Sequence, residues 1–289
     1  MAPPLLVRGG TLLTLDPEAR ILDGHDLLAE RGRIVRMAPS IAPPPGARVL
    51  DASGALVLPG LVQGHVHLGQ TLFRGLAEER RLLAWLRERI WPLEAAHDAD
   101  SAYWSGLLGA AECLLGGTTT IQDIGIGPEA AALMEAIADS GLRATAGKCL
   151  MDVGEGLPAR LAEPTDRCLS ETEALARRWH GARGGRIRYV LNPRFALSCS
   201  EPLLAGVAEL AERLDLPVHT HALEQRDETA LVRRLKGGRD EIELFADLGL
   251  LDRDLRVAHG VWLSPRHYAG LARRRFSVCL LYTSPSPRD

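Results

Sequence analysis

The sequence predicts an α/β fold: a (β/α)8 (TIM) barrel, truncated before its eighth strand and preceded by part of a small β-sandwich domain. Three observations carry this reading. Strand-like and helix-like segments alternate for more than 200 residues after Pro59, which implies a parallel sheet. The strand-like segments are continuous apolar runs, as expected of parallel strands buried on both faces. Histidines fall repeatedly at the ends of those segments, where a barrel places its chemistry.

Residues 1–58 form the small β unit. Leu5–Val7, Thr11–Leu15, Asp26–Ala29, Arg33–Met37 and Arg48–Leu50 are apolar or alternating, and Gly/Pro/Asp clusters separate them. Residues 59–278 form the incomplete barrel. Its strands are expected at Leu61–His67, Thr118–Ile124, Arg143–Leu150, Arg186–Asn192, Pro217–His221 and Arg256–Val261, with a seventh at Phe276–Val278. Helices are expected at Leu82–Ile90, Asp100–Leu115, Pro128–Ser140, Glu171–Trp179, Pro202–Leu214, Glu228–Leu235 with Glu241–Leu248, and Pro265–Arg274. An open doubly wound sheet would show the same alternation. Neither GxGxxG after a strand nor GxxxxGK[ST] occurs, so a nucleotide-type open sheet has no support.

Composition narrows the function. The chain has 289 residues, with 34 Lys plus Arg against 37 Asp plus Glu, a formal charge of −3 that offers nothing to a polyanion. Nucleic acid is therefore not expected as a partner. No apolar run approaches the ~18 residues of a membrane helix, and MAPPLLVRGG lacks the order of a signal peptide. Five cysteines, none spaced CxxC, point to a reducing cytosol and not to a disulfide framework.

His65 and His67 close the first barrel strand, His219 and His221 the fifth, and His259 lies near the end of the sixth. Side chains two apart on a strand share a face, so each pair can aim at one point. Neutral imidazole is the commonest metal ligand. One such pair carries little weight, but three strands placing histidine at one rim point to a metal centre. His219 sits one layer deeper and reads as a core or supporting residue. Glu224 follows His221 by three residues. It is either a helix N-terminal glutamate or, beside a metal-bound water, a proton carrier. HExxH, the H-x-E with P-C-x-x-C pair and G-x-S-x-G are all absent.

These residues resemble the amidohydrolase superfamily. VLDASGALVLPGLVQGHVH (Val49–His67), GGTTTIQD (Gly116–Asp123), VHTHALEQRDE (Val218–Glu228) and VAHGVWL (Val257–Leu263) carry the likeness. QTLFRGLAEERRLLAWLRERIWPLE (Gln70–Glu94) is similar to the chlorohydrolase and deaminase branch. The resemblance implies one divalent metal, zinc or iron, with His65, His67 and His221 as ligands. It implies that Glu224 shuttles protons and that His259 orients the attacking hydroxide. Binuclear relatives use a lysine ending the fourth strand. Here that strand ends Asn192-Pro193-Arg194, and Lys148 is on the third, so a single metal is expected.

The reaction so implied is hydrolytic deamination of an aminopurine or purine nucleoside of the 5'-deoxyadenosine, methylthioadenosine or S-adenosylhomocysteine type. By likeness Trp85 and Glu94 line the substrate side, and Lys148 and Arg160 match positions that reach toward the 5' substituent. Gln70, Arg194 and Phe195 resemble a guanine-deaminase pattern instead, which keeps guanine or 8-oxoguanine open. The partner expected is this small molecule, with no nucleic acid and no membrane; a homo-oligomeric parent is left open.

The superfamily adds an aspartate ending an eighth strand, and none follows here in a strand context. Residues 279–289, CLLYTSPSPRD, resemble no part of the family and read as a foreign tail. The chain is thus expected to be C-terminally truncated, and an inactive fragment with weak metal binding is the alternative to an active enzyme.

Overall fold

The structure, a computed structural model, describes residues 3–77 and 80–281. It divides into two compact units, 1–61 and 62–289. In the first unit β1 (Leu5–Leu13), β2 (Ile21–Glu30), β3 (Arg33–Ala38), β4 (Arg48–Asp51) and β5 (Leu56–Val57) form one sheet of order β3-β2-β1-β4, with β5 also on β1. Two segments expected as separate strands are one. β1 runs through Gly9-Gly10 because register shifts on either side of Gly10 absorb the extra residues as bulges. β2 and β3 meet at Arg31-Gly32, both at positive φ (52° and 75°), a two-residue hairpin turn whose twist matches the strands. Leu6, Leu28 and Ile41 form the unit's small core. Buried Asp26 ties it together by accepting the Gly9 and Ile41 amides, each at 2.9 Å.

The second unit alternates strand and helix. Its strands are β6 (Leu61–Val66), β7 (Thr118–Asp123), β8 (Arg143–Ala146) with β9 (Cys149–Leu150), β10 (Ile187–Tyr189) with β11 (Asn192–Pro193), β12 (Val218–Ala222), β13 (Leu255–His259) and β14 (Phe276–Cys279). β7–β8, β8–β10, β9–β11, β12–β13 and β13–β14 are parallel pairs. A parallel bridge from Leu191 to Val218 carries the sequence of strands onward to β12. The third and fourth strands are each interrupted because their backbones come unusually close. A Cβ on Gly147 would lie 2.0 Å from the Val190 carbonyl oxygen, so only glycine fits. No pairing joins β14 to β6 among the described residues, so the α/β alternation is present without a closed barrel. β14 extends to Cys279, one residue beyond the expected boundary, and the remainder of the proposed tail from 282 onward lies outside the described residues.

Helices cover the strands: α1 (Leu82–Trp85), α2 (Trp91–Ala95), α3 (Ala99–Leu115), α4 (Ala130–Ser140), α5 (Thr165–Trp179), α6 (Ala182–Gly185), α7 (Glu201–Leu214), α8 (Arg226–Leu235), α9 (Glu241–Asp247) and α10 (Pro265–Leu271). Several start on side-chain caps: Asp98 for α3, Ser200 for α7, Asp240 for α9. α5 begins at Thr165, not Glu171. Its first turn is polar, with Arg167 bonded to Glu171, so no apolar period marks its start. The segment from Leu82 does not stop at Ile90. It widens into a π-turn at Leu86–Ile90, where the Trp91 amide reaches back to Leu86, and resumes as α2. Pro92 follows directly. It has no amide hydrogen to give the ordinary i−4 carbonyl, and a wider turn accommodates that loss.

The main core runs through the strands and inner helix faces, with Ile121, Leu133, Ile137, Leu150, Tyr189, Leu203, Val218 and Phe245 essentially inaccessible. A second cluster of Leu82, Leu86, Ile90, Trp91, Met151, Leu161 and Phe195 packs α1, the π-turn and α2 onto the loops after β9 and β11. That cluster is one wall of the cavity described next.

Candidate metal centre and substrate cavity

Five histidines come together where strands end. β6 delivers His65 and the following His67, β12 delivers His219 and His221, and β13 ends on His259. His65 lies edge-on to His67, His219, His221 and His259, with ring centroids 4.8–5.8 Å away. Ligand atoms of His65, His221 and His259 lie within 4.8 Å of one another. His67 joins them through Nε2, 3.1 Å from Nε2 of His221.

The hydrogen bonds set which nitrogens are free to bind. His221 Nδ1 is 2.7 Å from the Arg194 carbonyl and must donate there, which leaves Nε2 as a lone pair. That lone pair meets His67 Nε2, so a proton or a cation has to lie between them. Nδ1 of His67 is buried without a partner. Burial holds the imidazoles neutral. It pushes His65 down to about 3 and His259 to about 4, and it takes His67, His219 and His221 well below the ordinary histidine range. Neutral imidazoles with converging lone pairs, one with its far nitrogen donating to a backbone carbonyl, suit a divalent cation. His219 Nε2 sits 3.0 Å from His65 Nδ1 and supports that ring from beneath.

Glu224 stands beside this cluster, with Oε2 3.2 Å from His259 Nε2. Burial raises its carboxyl to about 7, against an opposing pull from Arg194. The neighbouring backbone is held in unusual conformations: Leu223 at φ 56° and His259 at φ 73°. Non-glycine residues at positive φ cluster at functional sites.

A cavity of about 480 Å³ opens over the histidines. His65, His67, His221, His259 and Glu224 form its floor; Trp85, Leu82, Leu86, Arg194 and Phe195 form its walls. Arg194 and Glu94 are buried and paired at 2.6 Å, and Gln70 Nε2 donates to the other Glu94 oxygen at 2.8 Å. The structure thus places Arg194, Phe195 and Trp85 on the cavity wall, whereas Glu94 and Gln70, also expected on the substrate side, do not line it: Glu94 is buried behind the wall, with its carboxylate taken up by Arg194 and Gln70. Nor does the structure bring in two of the expected basic residues. Lys148 is fully buried with Nζ 2.8 Å from Glu163 and in contact with Glu171. Arg160 spends its guanidinium on the Ala95 carbonyl at 2.7 Å, the His97 carbonyl and Glu129. Neither lines the cavity. Sequence reading passed over Gln63, Arg80 and Gln225, which do line it. Gln225 had a local signal, since Gln225 and Glu228 have the spacing of the capping box that opens α8.

Comparison with known proteins agrees with this geometry. A 5-methylthioadenosine/S-adenosylhomocysteine deaminase of Symbiobacterium thermophilum is 38% identical over 95% of this chain and 62% of its own length. A 5'-deoxyadenosine deaminase of Methanosarcina acetivorans is 32% identical over 95% of this chain and 61% of its own. The chain therefore spans about three-fifths of the curated relatives it matches. Among solved structures, Escherichia coli guanine deaminase superposes with a TM-score of 0.84 at 29% identity, covering 94% of this chain and 66% of that one. An atrazine chlorohydrolase variant of Arthrobacter aurescens, complexed with zinc and atraton, gives 0.83 at 26% identity, covering 95% and 64%. The amidohydrolase family profile matches residues 56–286, past the boundary expected at 278. With four-fifths of its length under that profile and its histidines gathered at the strand ends, the chain belongs to the amidohydrolase family.

Proposed function

We propose that the whole protein is a metal-dependent hydrolase that deaminates an aminopurine or purine nucleoside of the 5'-deoxyadenosine, methylthioadenosine or S-adenosylhomocysteine type. The single observation that carries this reading is the buried set His65, His67, His221 and His259 with Glu224 at 3.2 Å from His259, under a cavity walled by Trp85 and Phe195. The named relatives support the substrate class. His65, His67 and His221 would hold one divalent cation, zinc before iron, and zinc in the chlorohydrolase complex supports that choice. Such a cation lowers the pKa of water toward ~7 and makes it a nucleophile at neutral pH.

The chain's own residues account for the rest. Glu224, raised to about 7, can take a proton from the attacking water and return it to the ring nitrogen. It can then carry the second water proton to the departing amine. One water is consumed; a C–O bond forms, the C–N bond breaks, and ammonia leaves a ring carbonyl behind. His259 aligns the Glu224 carboxyl through its 3.2 Å contact. Trp85 and Phe195 offer faces for a purine, and the buried walls exclude water.

A guanine or 8-oxoguanine substrate is the second reading. It is favoured by Arg194 at the cavity wall: one guanidinium nitrogen is held by buried Glu94, and the others are donors suited to a purine carbonyl. Ammonia release from each nucleoside, guanine and 8-oxoguanine by zinc-loaded protein tests both. Release from a nucleoside supports the first, from guanine alone the second. A zinc-loaded whole protein that releases none overturns both.

A further inference from the structure

Glu228 and Glu241 are buried carboxyls that the proposed reaction does not use, at 1% and 0% exposure. Both belong to the structure around the turn that carries Glu224. Oε2 of Glu228 accepts the Glu224 amide at 2.9 Å and the Gln225 amide at 3.2 Å. Oε1 of Glu241 accepts the Thr229 hydroxyl at 3.1 Å. One oxygen on each is left over: Oε1 of Glu228 and Oε2 of Glu241 are buried with no partner. Buried polar atoms without partners are rare and costly, and here two acceptor-only atoms are left over on consecutive helices that the Thr229 hydroxyl, one residue after Glu228, ties to the Glu241 carboxylate. A single proton satisfies both.

We propose that Glu228 and Glu241 share one proton, Oε1 of Glu228 donating to Oε2 of Glu241, and that this carboxyl–carboxylate pair fixes the turn carrying Glu224. Each carboxyl has one engaged oxygen and one left to carry hydrogen; Glu228 is the holder because it faces the Glu224 carboxyl as well as Glu241, whereas the acidic neighbour of Glu241, Asp240, is itself paired with cations. Burial and the neighbouring Glu241 and Glu224 charges push Glu228 well above the carboxylate range; Glu241 is raised by burial and by Asp240. Of the charged groups facing the pair, Glu224 comes from the loop and Asp240 from the start of α9. Asp240 is itself bonded to Arg233, Arg266 and His267. With Leu223 held at φ 56°, the turn needs such an anchor. The positioning part rests on the role proposed for Glu224; the shared proton does not.

Carbon-13 NMR of glutamate carboxyls in the intact chain tests it. One resonance, removed by Glu228→Gln, should report a protonated carboxyl through pH 7 and ionise only at alkaline pH. Both carboxyls ionised at pH 7 would refute the shared proton. Glutamine keeps the acceptor and supplies the N–H donor, so Glu228→Gln should hold the wild-type thermal midpoint near neutral pH. Glu228→Ala should lower it by roughly 5 °C or more. A folded-state pKa above the unfolded ~4.3 gives stability that is complete below that value and is lost as pH rises through the folded pKa. Glu228→Gln should therefore outlast wild type in alkali, and equal alkaline loss in both would contradict the proposal. The Glu224 carboxyl resonance, assigned by Glu224→Gln, should move in Glu228→Ala and return in Glu228→Gln. An unmoved resonance overturns the positioning role, and neither readout depends on turnover.

Discussion

His259 shows what the amino-acid sequence discloses and what it hides. Its place at a strand end was legible from the V-A-H-G pattern, but its φ of 73°, which sets the ring's approach to Glu224, was not. His65, His67 and His221 were legible for the same reason: a strand's two-residue period fixes which side chains share a face, whereas Glu224, in the loop after β12, was marked only by following His221 by three residues. Lys148 was misleading. Composition marks it as one of only two lysines, and likeness suggested a substrate contact, yet its partners Glu163 and Glu171 lie 15 and 23 residues on, beyond any local pattern. Lys148→Met should cost about 3 kcal/mol in urea unfolding, because it leaves the 4%-exposed Glu163 carboxylate with only the more distant Arg167, 3.6 Å away. A weaker ligand affinity at unchanged stability would instead return Lys148 to the substrate side. For Glu224, replacement by Gln should cut turnover by ~10²–10⁴-fold with bound metal unchanged, read by ammonia release alongside metal analysis. Metal loss would make Glu224 a ligand.

At the scale of elements, the order of strands and helices was legible because buried parallel strands are apolar runs and amphipathic helices repeat at their own period. What was not legible is where elements are interrupted. The π-turn before Pro92 and the break between β8 and β9 depend on backbones that meet only in the fold. Gly147 is the decisive case. Its added methyl would confront the fixed Val190 carbonyl at 2.0 Å, with no flexible side chain to move aside. Gly147→Ala should therefore destabilise by about 3 kcal/mol or more, measured by urea unfolding, and a change under 1 kcal/mol would show that the strands can part. The same break lets the loops after β9 and β11 bring Met151 and Phe195 onto α1 and α2, so a local close approach shapes the cavity wall.

For the whole molecule, side chains from the ends of β6, β11, β12 and β13 converge although the described strands do not close into a barrel. The family and the histidine set could be read from the sequence, since both rest on short local patterns. The pairing of Arg194 with Glu94, separated by 100 residues, could not, because it depends on α2 packing against the loop after β11. His65, His67 and His221 are proposed to hold one divalent cation. Elemental analysis of purified protein after zinc loading and removal of free metal tests this most directly. Wild type and His97→Ala should each carry one zinc per chain, and His65→Ala and His221→Ala should lose it. Zinc retained at full occupancy in either of those two variants, or none in a folded wild-type protein, would contradict it.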